Sequence, residues 1–174
     1  MNTKAIAILG GGVGGLVAAN ELRHKLAYKH KVVLIEKNPQ HTFAPSFLWV
    51  MTGDRLPTRI TKPVVSLVRP GVEVMQAEVR IIDIANRSVI TSQGSLTYDY
   101  LVVALGAELA PEIIPGLAQA AYSFYTFEET KKFQQALNQF NGGKVAVVVC
   151  SLPYKCPGAP HEGAMLIADY FQRR

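Results

Sequence analysis

Ala5 to Leu9 is an unbroken apolar run that glycines end abruptly. A strand with both faces covered, as in a parallel sheet, has this pattern. From Val13 to about Leu26, the apolar positions Leu16, Val17, Ala19, Leu22 and Leu26 recur at helical spacing, and the basic stretch from Lys25 to Lys31 suits a helix C-terminus. Lys31 to Glu36 then reads as a second buried strand. Strand, glycine turn, helix and strand fit within about 30 residues, the size of a βαβ unit. The expected fold class is therefore α/β.

Beyond this unit the pattern is less regular. Residues Pro39 to Pro63 mix Pro, Gly, Thr and aromatics, which predicts a loop with a short helix near Ser46 to Thr52. Val72 to Met75 predicts a third parallel strand. Glu78 to Asp83, Ser88 to Ser92 and Ser95 to Tyr98 predict an antiparallel β-meander that turns at Gly94. Tyr100 to Gly106 returns as a buried strand closed by glycine, and Pro111 to Gly116 has linker composition. Phe127 to Asn141 is an amphipathic helix with Thr126 as its N-cap and Glu128 and Glu129 in its first turn. Val145 to Cys150 predicts one more apolar strand, and Pro160 opens a last helix that runs to Arg174.

Composition narrows the function classes. The 174 residues carry 49% hydrophobic and 18% charged positions, which is globular rather than disordered. The formal charge is +5, but the basic clusters from Arg23 to Lys31 and at Arg173 and Arg174 are short and lack interleaved aromatics, so they read as solvated surface and not as a nucleic-acid face. No apolar run reaches the roughly 20 residues of a membrane span, and the start does not read as a signal peptide. A cytoplasmic protein is expected, with peripheral membrane contact and homo-oligomerisation left open. Cys150 and Cys156, with one nearby histidine, do not make a metal site, and no metal is expected.

The strongest chemical signal is Gly10-Gly11-Gly12-Val13-Gly14-Gly15, a G-x-G-x-x-G turn between a strand and a helix. The first glycine permits the tight turn, the second lets a pyrophosphate approach the backbone, and the third lets helix and strand pack closely. The helix N-terminus offers free N–H groups to phosphates. Glu36, 21 residues after Gly15, ends the second strand where a carboxylate accepts from ribose hydroxyls. A negative group there also repels a 2′-phosphate, which favours FAD or NAD over NADP.

Further segments resemble the FAD-dependent pyridine nucleotide-disulfide oxidoreductases. Tyr98 to Gly106 is similar to that family's second FAD signature, a strand ending beside the flavin, with Leu105 where a Thr is usual. Glu78-Val79 with Ile82-Asp83 resembles the adenine-side strand. His41 to Phe47 with Thr52-Gly53 resembles the branch of sulfide:quinone oxidoreductases, flavocytochrome c sulfide dehydrogenases and type II NADH dehydrogenases. The cysteine pair of the disulfide reductases is missing from this region, since no cysteine precedes Cys150. The resemblance implies FAD as cofactor, held by Gly10, Gly11, Gly12, Val13, Gly14, Gly15, Glu36, Lys37, Pro45, Val79, Ala104 and Gly106.

Prolines and bulky side chains fill Cys150 to Glu162, where an NADH-binding domain would repeat the glycine turn. The segment resembles instead the Lys-Cys-Pro-x-x-Pro-x-Glu stretch of sulfide-oxidising flavoproteins. That resemblance implies a redox-active Cys156 and a proton-handling Glu162, with a small sulfur donor and a quinone acceptor as partners. Cys156 precedes a helix N-terminus and neighbours Lys155, both of which favour thiolate, whereas Cys150 ends an apolar strand and is expected to be buried and inert. His41 and His161 receive no role. The expected organisation is a Rossmann-like FAD-binding domain over residues 1–110, then residues 111–174 as a linker with the first strand and helix of a second Rossmann-like unit that stops short. A type II NADH dehydrogenase-like protein and a non-catalytic FAD-binding subunit remain alternatives.

Overall fold

The structure is a computed structural model that describes residues 2–174. It forms two compact units: residues up to His41 with Lys62–Leu109, and Thr42–Thr61 with Ala110–Arg174.

The first unit contains β1 (Ala5–Leu9), α1 (Val13–Lys25) and β2 (Lys31–Glu36). Two short strands, β3 (Gln40–Thr42) and β4 (Thr61–Pro63), flank the excursion into the second unit. Then follow β5 (Val72–Gln76), β6 (Val79–Asp83), β7 (Ser88–Thr91), β8 (Gly94–Thr97) and β9 (Tyr100–Val103). The main sheet has the order β5-β2-β1-β9 and is parallel throughout, with Ile6 opposite both Val32 and Tyr100. Side chains alternate between its faces. Ile6, Ile8, Val32 and Leu34 pack against Leu16 and Ala19 of α1, while Leu9, Val33 and Ile35 pack against Val89 and its neighbours in the antiparallel meander β6-β7-β8. Both faces of β1 and β2 are covered, so neither strand tolerates a polar residue in its middle.

Two expectations for this unit need correction. The strand at Tyr100 is an edge strand and is not fully buried: Tyr100 and Val103 are 61% and 59% exposed. Arg23, expected in a solvated basic run, is 3% exposed. Its guanidinium donates to the carbonyls of Leu26, Ala27, His30 and Gly71 and stacks on the Tyr28 ring. The chain leaving a helix C-terminus carries carbonyls without intrahelical partners, and Arg23 folds back to satisfy those of the C-cap Leu26 and of Ala27 beyond it.

The second unit contains α2 (Phe47–Met51), α3 (Leu117–Ala120), α4 (Phe127–Gln139) and α5 (Ala159–Gln172). Leu48 and Met51 of α2, Leu137 of α4 and Ile167 of α5 form its core. The Thr126 hydroxyl accepts from the Glu129 N–H at 3.3 Å, which is the expected cap of α4. The basic pair at the chain end is engaged: Arg173 bonds to Asp54, and Arg174 donates to the carbonyls of Leu137 and Asn138 at the end of α4. No described helix is long and apolar enough to cross a membrane.

The expected strand at Val145 to Cys150 does not form. A strand exists through hydrogen bonds to a neighbour, and none of the described strands pairs with this segment. Its side chains are consequently exposed, Val148 by 69%, and Cys150 is exposed where burial was expected.

Candidate dinucleotide-binding site

The chain leaves β1 at Gly10, whose N–H donates to the Ile35 carbonyl at 2.8 Å and whose φ is +97°. That backbone region is open to glycine at little cost. A β-carbon on Gly10 would also stand 2.4 Å from the Ala104 carbonyl oxygen, because Ala104 runs alongside, bonded through its N–H to the Leu9 carbonyl. On Gly15 a β-carbon would stand 1.8 Å from the Gly10 carbonyl oxygen. Glycine at both positions lets α1 start directly above the end of β1.

Gly12, the residue before α1, has nothing within 4 Å of where its β-carbon would be, and at Gly14 only the Ala104 methyl comes that close, at 3.8 Å. The first turn of α1 has no side-chain cap and no acidic residue. Open space thus faces the positive end of a thirteen-residue helix whose first N–H groups await partners. An anionic diphosphate fits this cradle.

Glu36 closes one side of the turn. Its Oε2 accepts from the Gly11 N–H at 2.6 Å and its Oε1 from the Asn38 N–H at 2.8 Å. A carboxylate offers about four lone-pair sites, so two remain for the hydroxyls of a ribose. Gly11 is required for this contact, since a β-carbon there would meet the Glu36 Cγ at 2.8 Å. On the other side of the same residue, Nδ1 of the half-buried His41 lies 3.0 Å from the Gly11 carbonyl oxygen.

The structure therefore gathers Gly10 to Gly15, Glu36 and Ala104 at one end of the parallel sheet. Exposed Lys37 follows Glu36 and lies 3.8 Å from Glu108, while Gly106, two residues beyond Ala104, takes φ +75°. Val79 pairs with Thr91 in the meander and packs in the sheet core. His41, given no role from sequence because a lone histidine carries no periodic signal, is brought by the fold against the Gly11 carbonyl.

Pro45, Cys156 and Glu162 belong to the second unit. Pro45 is exposed in a single 3-10 turn, Ala44–Ser46. Cys156 is a free, exposed thiol at φ +57°, and its carbonyl accepts from the Ala159 N–H as α5 begins. Burial pushes the nearby Tyr125 phenol up, and Cys156 and Tyr154 push it the same way. Glu162 is exposed in the first turn of α5.

A parallel sheet whose first strand passes through a glycine turn into a helix defines a Rossmann-like dinucleotide-binding fold, and residues 4–150 match the pyridine nucleotide-disulphide oxidoreductase family. The chain belongs to that family. Over 99% of its length it is 30% identical to the mitochondrial sulfide:quinone oxidoreductase of Dictyostelium discoideum, of which the match covers 40%. It is 32% identical over 83% of its length to the demethylphylloquinone reductase of Synechocystis, covering 39% of that protein. Among solved structures, the sulfide:quinone oxidoreductase of Aquifex aeolicus superposes with a TM-score of 0.71 at 30% identity, over 79% of this chain and 32% of that one. The chain thus spans about 40% of the length of the curated relatives it matches.

Proposed function

We propose that the chain is the FAD-holding part of an oxidoreductase that passes electrons from a small sulfur compound to a quinone. The observation that carries this reading is the Gly10–Gly15 turn closed by Glu36, an open diphosphate cradle with a ribose acceptor beside it. FAD, when bound, supplies a two-electron acceptor. Gly12 and the first turn of α1 would hold the diphosphate, and Glu36 would hold the ribose and exclude a 2′-phosphate.

Sulfide as donor and quinone as acceptor are supported by the names of the relatives and by the Lys155-Cys156-Pro157 to Glu162 segment. In this reading the Cys156 sulfur would bond to the sulfide sulfur with loss of two electrons to the flavin and from there to quinone, and Glu162 would take up the proton released. The protein would work in the cytoplasm, at the membrane surface where quinone is reached.

The test mixes FAD-reconstituted protein anaerobically with sulfide or with NADH and follows the visible flavin absorbance. Bleaching by sulfide that disappears in Cys156→Ser, with no bleaching by NADH, supports the proposal. Bleaching by NADH alone overturns the donor assignment in favour of a type II NADH dehydrogenase-like protein. Bound flavin that neither donor bleaches fits a non-catalytic FAD-binding subunit.

A further inference from the structure

We propose that His41 is a positioning residue of the dinucleotide cradle, aiming the Gly12 N–H at the diphosphate by holding the Gly11 carbonyl. This rests on the FAD reading of the cradle. The Gly11 carbonyl oxygen lies 3.0 Å from Nδ1 of His41. A carbonyl only accepts, so Nδ1 carries the proton of this bond.

The Gly11 carbonyl and the Gly12 N–H belong to one planar trans peptide and point in opposite directions. Fixing one therefore fixes the other. This peptide joins two glycines and gains no rigidity from side chains. On its N-terminal side, Glu36 holds the Gly11 N–H at 2.6 Å, so Gly11 is pinned at both its donor and its acceptor by two side chains five residues apart, Glu36 at the end of β2 and His41 in β3. The Gly12 N–H is then set at the end of α1 where no side chain caps the helix and nothing stands within 4 Å of the Gly12 Cβ position. In this proposal His41 acts through the turn, by its bond to the Gly11 carbonyl.

Asparagine tests the idea cleanly, because its Nδ2 stands the same number of bonds from the backbone as Nδ1 of histidine. Glutamine places its donor one bond farther out, and leucine has none. The wild-type chain, His41→Asn, His41→Gln and His41→Leu are compared by FAD fluorescence titration and, without FAD, by the amide 1H–15N signal of Gly12. The expected result is a loss of roughly fivefold in FAD affinity for His41→Leu, the worth of one ordinary hydrogen bond, with substantial recovery in His41→Asn and none in His41→Gln. The Gly12 signal should shift in His41→Leu and stay near the wild-type position in His41→Asn. If leucine prevents folding, the contrast between asparagine and glutamine carries the same test. Equal affinities and unmoved Gly12 signals across the variants overturn the inference while leaving the FAD reading intact. A wild-type chain that takes up no FAD overturns both.

Discussion

A β-carbon added to Gly15 would lie 1.8 Å from the carbonyl oxygen of Gly10, so the first turn of α1 and the end of β1 approach as closely as backbone allows. Gly15→Ala must push helix and strand apart. A loss of about 1–3 kcal/mol of stability is expected, the usual cost of overpacking a fixed interior, measured by urea unfolding. Gly12→Ala is the contrast, because space is open there and φ is −70°. It should unfold like the wild type, yet weaken FAD binding by intruding on the cradle. Equal stability of the two variants would contradict this division of roles.

Arg23 is buried and donates to four carbonyls, with no carboxylate paired to it among the described residues. Arg23→Met should cost about 1–3 kcal/mol, since four carbonyls lose a charged donor. A change within about 0.5 kcal/mol, the range of ordinary surface substitutions, would show that the guanidinium is dispensable.

Asp99 gives the stability its acid limb. The Lys4 ammonium donates to it at 2.8 Å, the Ala5 N–H does so at 2.8 Å, and together they hold its carboxyl below the ordinary range. Arg173 and then Thr52 lower Asp54 in the same way. A carboxylate depressed in the folded state contributes stability above its unfolded value of about 3.9, and that contribution is lost as pH falls through the folded value. Stability should therefore decline below about pH 4, and Asp99→Asn should flatten part of that decline. Urea midpoints at a series of acid pH values check this; superimposable acid limbs would remove Asp99 from the account.

Both thiols are exposed, so alkylation of native protein should label Cys150 as well as Cys156 without denaturant. Labelling of Cys150 only after unfolding would mean that the segment from Val145 is covered in solution.

The legible part of this fold is the part written locally. The apolar runs of β1 and β2 and the glycines between them carry their own signals, because a tight turn and a two-sided strand each restrict the residues they accept. The place of Glu36, at the end of the second strand beside the glycine turn, is legible from the glycine motif, the strand pattern and the spacing together. The illegible features depend on partners distant in sequence. Val145 to Val149 has the composition of a strand, but pairing makes a strand and none of the described strands pairs with it. Tyr100 to Val103 carries an apolar run without showing that it lies at a sheet edge. Arg23 looks solvated until the carbonyls of His30 and Gly71 close over it, and His41 looks incidental until Gly11 is folded beneath it.

The central claim is that the Gly10–Gly15 turn and Glu36 hold FAD, and titration of the apoprotein with FAD, comparing wild type with Glu36→Ala, tests it most directly. Removing the carboxylate leaves ribose hydroxyls without a charged acceptor, a loss of about 1.5–3 kcal/mol, so affinity should fall roughly tenfold or more. Unchanged affinity in Glu36→Ala, or a wild-type protein that binds no FAD, would contradict it.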